Sequence, residues 1–583
     1  MIRFKTSIII LSIIYALPAI ILTISGSEFI TIDAKHSILY AIWCISIISV
    51  PIVISSTIYQ IYRHIGLAVL ALFRFIVLLI SLITTYLAIF YHSSINYNII
   101  SLITGTNCSE ALEFITTYII NKNTIILTLL FLTIYMVDII LIKYLRHIKF
   151  IRSKKLNIIF IIICLFLSFC VPIQIIHFNY FTSNSSKNIN KLREDNSLML
   201  YDPICCLYNS LLQFKKNEKD FEICYTKCDI EKVTITNNEP KKIILIIGES
   251  HNKYHSSLYG YSMHTNPLLE KDSVIVFNDA ISPRQITSHS LKAFMSYADY
   301  GEAEKWYEHS LFPAILKRNG YNITFYSNEF PFYGENSPWN SEAGFLTDGK
   351  ISKKLFSNQN DYMYKYDEQL ISEFEKKRDT YENGKLNLII FQLRGQHFTA
   401  KDRFPSDYAK FHTRDYYKRI KLTKSEKQEI ADYDNACLYN DYIIHRIISM
   451  YKEHDAIVIY FSDHGEEAND YRAHTGRDFG KLTADGIHCL LDIPFFIYIT
   501  KKYEQNHPNI CKLIKEAKNR PFTIDHLPHF ISHITGVYTK EYDKRKDFIH
   551  PLYNIRTKRT VLENLNYDSL VSNYTTFKIS YGY

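Results

Sequence analysis

Two apolar patterns share this chain. Up to about residue 180, Ile- and Leu-rich runs recur at residues 7–25, 38–58, 69–91, 124–142 and 156–177, and about 20 consecutive apolar residues suffice for one helical span of a bilayer. So many near-uncharged runs in succession predict five amino-terminal transmembrane helices rather than buried helices of a soluble core. A cleaved signal peptide is a poor reading of the first run, because no small-residue cleavage site is evident and four more spans follow. From about residue 241 the pattern changes to short apolar runs separated by amphipathic stretches. It predicts strands near 242–247, 273–277, 322–326, 386–393, 456–461 and 493–499, with helices near 288–298, 305–318, 366–377, 427–452 and 523–534. Such alternation predicts a mostly parallel α/β sheet with helices on both faces. The expected organisation is a membrane domain at 1–180, a polar linker at 181–240 and an α/β domain at 241–583.

Charge orients the membrane part. Arg3, Lys5, Arg63, Arg74 and the cluster from Lys143 to Lys155 fall on one side, whereas the opposite short loops carry only Lys35 and Lys122. Basic loops stay cytoplasmic, so the large carboxyl-terminal part is expected outside the cytoplasm. The outer loop at about 100–120 has apolar residues at helical spacing and reads as an amphipathic helix on the membrane surface. Contact with a lipid substrate and simple docking are both open to it. Outside the cytoplasm, Cys205, Cys206, Cys224 and Cys228 of the linker are expected in disulfides rather than on zinc. The formal net charge of +8 is modest for 583 residues. With no Lys/Arg block interleaved with aromatics read in the soluble part, nucleic acid is not an expected partner.

Candidate chemistry collects at strand ends. The run KKIILIIG ends in Gly248, read as a sharp turn, and delivers Glu249 and Ser250. A second run, AIVIYF, delivers Asp463 and His464 in the same way, and LNLIIFQL delivers Arg394, Gln396 and His397. In an open parallel sheet these junctions share one edge, where ligands bind. Loops add Thr287, Ser288 and Ser290, and further downstream His474 and His488. Two carboxylates and an imidazole make a mixed oxygen and nitrogen site suited to zinc, with manganese as an alternative. A hydroxyl bound to such a metal becomes a nucleophile. The chain has no G-x-x-x-x-G-K-[ST] phosphate loop, so no nucleotide is implied.

The segments GES, SLYGY, TNP, SPRQIT and FSDHGEE, with TNCSEA in the outer loop, resemble the phosphoethanolamine transferases of the alkaline phosphatase and sulfatase superfamily. The resemblance implies an alkaline-phosphatase/sulfatase-like sheet and metal ligands Glu249, Thr287, Asp463 and His464. It makes Thr287, ahead of Ser250, the nucleophile that forms a covalent phosphoethanolamine-threonine. His397 and His474 match positions that bind substrate phosphate or a second metal, and His488 is an extra candidate. The donor implied is phosphatidylethanolamine. The acceptor implied is lipopolysaccharide or lipooligosaccharide, at a lipid A phosphate or a core sugar, with the protein in the cell inner membrane and its catalytic domain in the periplasm. Sulfatases build their nucleophile in C/S-x-P-x-R, whereas Ser282, Pro283 and Arg284 are adjacent here, so sulfatase activity is not expected. The alternatives are a glycerophosphate transferase using phosphatidylglycerol and a non-enzymatic membrane sensor with a decayed site. All four metal-site residue types are present, which argues against the second.

Overall fold

The computed structural model describes residues 2–24, 34–90, 95, 120, 122–144, 202–204, 207, 220, 222–224, 226–236, 241–298, 306–329, 349–360, 362–382, 384–471, 475–477, 483–562 and 565–571. The chain forms two units that part at about residue 215.

Four helices of the first unit are described: α1 (Ile2–Ile24), α2 (Ala34–Ile61), α3 (Arg63–Phe90) and α4 (Lys122–Tyr144). They cover the first four expected spans; the fifth, at 156–177, and the surface helix at 100–120 lie outside the described residues. Tyr40–Tyr59 and Arg63–Phe90 are long and apolar enough to cross a membrane, while the apolar stretches Ile8–Leu22 and Thr124–Val137 are shorter. Leu11, Tyr15, Trp43, Ile48 and Val77 form the seam between helices. Leu72, Phe75, Leu79 and Ile83 of α3 face outward instead, as apolar side chains do in lipid, where nothing drives them inward.

The second unit is built on a seven-stranded sheet of β1 (Lys241–Gly248), β2 (Ile275–Phe277), β3 (Asn322–Ser327), β4 (Asn358–Gln359), β5 (Leu386–Gln392), β6 (Ala456–Ser462) and β7 (Phe495–Ile499), in the order β2-β7-β6-β1-β5-β3-β4. Strand β7 runs antiparallel to both its neighbours, and the remaining pairs are parallel. The sheet is therefore mixed, close to the mostly parallel one expected. Along β1, Ile243, Leu245 and Ile247 enter one core with Leu291, Phe294 and Ile531, while Ile244 and Ile246 enter the other with Leu370, Phe374 and Ile443. This is why β1 reads as a continuous apolar run: a strand covered on both faces has no polar side. The covering helices include α5 (Thr287–Met295), α6 (Asp367–Tyr381), α7 (Lys424–Tyr451), α8 (Ala484–Leu491) and α9 (Leu527–Thr535).

Part of the expected linker belongs to this unit. Strand Val233–Ile235 pairs antiparallel with Val537–Thr539, and Cys224 and Cys228 are buried in the core. Both cysteines are free thiols here rather than disulfide partners, linked by a hydrogen bond. Cys205 and Cys206 lie outside the described residues.

Candidate metal centre

Register explains why the polar residues converge. Gly248 pairs with Ser462 across β1 and β6, so Glu249 and Asp463 leave the sheet side by side, and Asp463 N–H donates to Gly248 O at 3.0 Å. On the other flank Ile247 pairs with Gln392 of β5, and Gln396 N–H donates to Glu249 O at 3.0 Å. Gly248 does not make the turn, as the sequence suggested. It is still in the strand, where a Cβ would meet the Tyr460 hydroxyl at 2.2 Å. The left-handed residue is Ser250, at φ 58°, a conformation that is uncommon away from glycine.

Glu249, Asp463 and His464 are all buried, and one ligand atom from each lies within 4.8 Å of the others. His464 Nδ1 is 2.8 Å from Gly465 O; a carbonyl can only accept, so Nδ1 carries the proton and Nε2 keeps its lone pair. Burial, reinforced by Arg477, lowers the His464 pKa to about 3. The ring is thus neutral, as a ligand must be. Nε2 stands 3.3 Å from Asp463 Oδ2 and 3.4 Å from Glu249 Oε1. Thr287, the first residue of α5, donates its hydroxyl to Glu249 Oε2 at 2.9 Å and lies 3.3 Å from His464 Nε2.

The two carboxyls are held differently. Burial opposes ionisation of Glu249, yet the Arg477 guanidinium and the Ser250 hydroxyl outweigh it and keep the group below the usual glutamate range. Asp463 is pushed well upward, by burial first and then by Glu249. Its Oδ1 accepts from Ser250 N–H at 3.2 Å and His464 N–H at 2.8 Å, but its buried Oδ2 has no hydrogen-bond donor among the described residues. Such an atom is costly unless something cationic reaches it. Two carboxylates, a neutral imidazole, a hydroxyl and an undonated carboxylate oxygen together fit a divalent metal.

The rival hydroxyls have other work. Ser290 donates to Asp463 O at 2.6 Å, and Ser250 donates to Glu249 Oε1 at 2.7 Å. Ser288 is buried beside them in α5. His397 faces Glu329 Oε1 at 3.3 Å and is held neutral by burial and by Arg403, Arg477 and Arg394. Glu249, Glu329 and His397 form a second ligand-grade group, sharing Glu249 with the first. His488 enters neither group; it is pinned by Asp492 at 3.0 Å and by the hydroxyls of Tyr254 and Tyr567. His474 lies outside the described residues.

Two site residues were missed from the sequence. Glu329 follows β3, which ends level with β5 through the pair Ser327 and Gln392; applying the strand-end rule to ITFYSNE would have found it. Arg477 reaches back from the loop after β6, donating from Nη2 to Glu249 Oε1 at 3.3 Å and Ser250 Oγ at 3.1 Å, and from Nε to Glu466 Oε2 at 3.1 Å. Its loop offers no spacing rule that singles it out.

The sulfatase family model matches residues 241–537, just over half of the chain. The chain belongs to the sulfatase family. Within that family it is 26% identical over 341 residues to phosphoethanolamine transferase EptC of Escherichia coli (strain K12), a match covering 55% of this chain and 56% of that protein. The matched stretch is thus about half the length of that relative. Among solved structures, the C-terminal periplasmic domain of EptC from Escherichia coli in complex with Zn superposes with a TM-score of 0.51 at 24% identity, covering 58% of this chain and 96% of that one. The integral membrane protein lipooligosaccharide phosphoethanolamine transferase A (EptA) from Neisseria meningitidis gives a TM-score of 0.61 at 17% identity, over 92% of this sulfatase-family chain and 97% of that structure. Both likenesses are of fold.

Proposed function

We propose that this protein is a metal-dependent phosphoethanolamine transferase that moves the head group of phosphatidylethanolamine to lipopolysaccharide or lipooligosaccharide. The observation that carries the reading is the Thr287 hydroxyl at 2.9 Å from Glu249 and 3.3 Å from His464, within a buried ligand group. Glu249, Thr287, Asp463 and His464 would hold zinc, or manganese; bound there, the ion would lower the pKa of the threonine hydroxyl and neutralise charge on the phosphoryl oxygens. Zinc is the better-supported choice, since the similar EptC domain is in complex with it.

Transfer then takes two in-line displacements. Thr287 Oγ1 attacks phosphorus, its proton passes to Glu249 Oε2, and the bond from phosphorus to the glyceryl oxygen breaks. The proton returns to the departing diacylglycerol. An acceptor oxygen next attacks phosphorus, the bond to Thr287 breaks, and the threonine regains its proton. Arg477 supplies positive charge beside the same carboxylate. Glu329 and His397 give the site a second cation-binding corner, suited to the ammonium end of ethanolamine. A glycerol head group has no use for that carboxylate, which favours phosphatidylethanolamine over phosphatidylglycerol. The assignment extends to a multi-pass inner-membrane protein with residues 241–583 as a periplasmic catalytic domain. We further assign His474 to substrate binding with His397, and keep His488 as an extra candidate.

The test is to incubate the purified protein with donor lipid and no acceptor, then map the adduct by peptide mass spectrometry. A phosphoethanolamine group on Thr287 is expected from labelled phosphatidylethanolamine. A glycerophosphate adduct formed only from phosphatidylglycerol would select the alternative, and no adduct from either lipid would point to a decayed site.

A further inference from the structure

The segment 410–424, KFHTRDYYKRIKLTK, is a basic block interleaved with aromatics that the reading of the sequence passed over. It is the last part of the long connection between β5, which ends at Gln392, and α7, which starts at Lys424. Its exposure follows a period of three. Tyr416, Arg419 and Leu422 are buried, while Tyr417, Lys418, Ile420 and Lys421 point outward. The buried residues are anchors. Arg419 pairs with Asp470 at 3.3 Å, the Tyr416 hydroxyl donates to Asp434, and Leu422 packs with Ile430 and Ala431. Asn435 Oδ1 accepts from the N–H groups of both Lys410 and Phe411 at 2.8 Å.

What is held outward is unusual for a soluble surface. Ile420 is 81% exposed, more than any other large apolar side chain among the described residues, and Tyr417 is 68% exposed. Arg414, Lys418, Lys421 and Lys424 of the same segment are all exposed, and its single acid, Asp415, lies 4.0 Å from Arg414. A lone exposed apolar side chain needs no explanation. An aliphatic and an aromatic tip fixed by three buried anchors in a segment with four exposed cations does, and it has the composition of an interfacial lipid contact. Basic side chains favour an anionic lipid surface, by roughly fivefold in affinity for each one. An aliphatic tip gains nothing from a nucleic-acid backbone, where stacking and phosphate contacts dominate. The same chain also carries helices long and apolar enough to cross a membrane.

We propose that segment 410–424 docks on the anionic surface of a lipid bilayer, with Tyr417 and Ile420 entering the headgroup region and the segment's exposed Lys and Arg side chains pairing with lipid phosphates. The inference does not rest on which head group is transferred. It is tested with the full-length protein in nanodiscs of phosphatidylcholine alone or mixed with phosphatidylglycerol, using Ile420→Cys labelled with an environment-sensitive fluorophore and Leu552→Cys as an exposed control elsewhere. The expected result is a blue-shifted emission at position 420, quenched by nitroxide lipids, in the anionic discs. The shift should be weaker in neutral discs and at high salt, lost with Lys418→Glu plus Lys421→Glu, and absent at position 552. Emission at 420 that matches 552 and is unquenched in both discs overturns the proposal. So does a shift that appears only with added single-stranded DNA, or only as protein concentration rises, which would assign the surface to nucleic acid or to a second copy of the chain.

Discussion

Two buried charge clusters flank the loop that follows β1, and they are built on opposite principles. In the first, His255 sits with Nδ1 on Asp434 Oδ1 at 2.5 Å and Nε2 on Asp470 Oδ1 at 3.0 Å. Asp434 also accepts from the hydroxyls of Tyr261 and Tyr416, and Asp470 from Asn252 and Arg419. Burial works against a charge on His255, but Asp470 and Asp434 overcome it and raise its pKa to about 10. In the second cluster two carboxyls face each other, Asp463 is pushed upward, and Asp463 Oδ2 has no donor among the described residues. A cluster whose opposite charges satisfy one another holds the fold together. A cluster in which two crowded carboxyls share one guanidinium, Arg477, and one oxygen is left undonated has room for a further cation, and so belongs to binding.

If that division is right, the largest effect lies in the second cluster and leaves stability alone. Thr287→Ala should lower transfer by about a million-fold, the cost of losing a covalent nucleophile, with its unfolding midpoint close to that of the parent. Thr287→Ser should keep part of the activity. Ser250→Ala and Ser290→Ala, which remove two hydrogen bonds each but spare the nucleophile, should cost at most about a hundred- to a thousand-fold. Head-group transfer from labelled phosphatidylethanolamine measures all four. Full activity in Thr287→Ala would end the assignment.

Chelation should act next in size. Removing the metal should abolish transfer while far- and near-ultraviolet circular dichroism persist, because the two cores packed on the sheet faces do not need an ion to form. Loss of cooperative unfolding on chelation would make the site structural and collapse the distinction between the clusters.

How much of this was legible beforehand depended on what kind of signal each residue gave. Strands β1, β5 and β6 stood out because burial on both faces removes polar positions, and the edge they share then selected Glu249, Asp463, His464 and His397. Helix α8 was not foreseen: ADGIHCLL contains few good helix formers, and it holds because nearly every residue is buried, so packing overrides propensity. Its Gly486 is set by space, a Cβ there meeting the Tyr471 hydroxyl at 2.6 Å. Strand β4 is two polar residues that are a strand only because β3 pairs with them. The His255 cluster was invisible for a related reason. Its partners Asp434, Arg419 and Asp470 come from α7 and two separate loops, and no local pattern announces that they meet.

In that first cluster the expected outcome is the reverse of the Thr287 result. His255→Ala leaves Asp434 and Asp470 buried without their shared cation and should cost about 3–5 kcal/mol of stability, read from urea unfolding by near-ultraviolet circular dichroism. Adding Asp434→Asn to that variant should recover part of the loss, since it removes one of the two stranded charges. A His255→Ala variant as stable as the parent would show that the cluster is not structural.

The smallest effect is also the most discriminating, because it separates a charged His255 from a neutral one that merely fills space. Folding raises the His255 pKa from an ordinary value near 6.5 to about 10. The folded state therefore binds the proton more tightly than the unfolded chain does. The stabilisation is fully present below about pH 6.5 and is lost as pH climbs through 10, with a slope of at most about 1.4 kcal/mol per pH unit. Lys and Tyr side chains elsewhere titrate in the upper part of this window, so the quantity to follow is the gap between the parent and His255→Ala. Measured from urea midpoints at pH 7, 8 and 9, that gap should narrow steadily as the pH rises. Asp470, which faces the ring, cannot mimic this trend, since His255 outweighs burial and holds its carboxyl below the usual aspartate range. A gap that stays constant from pH 7 to 9 would mean that His255 is uncharged and that the saturated cluster is held by hydrogen bonds alone.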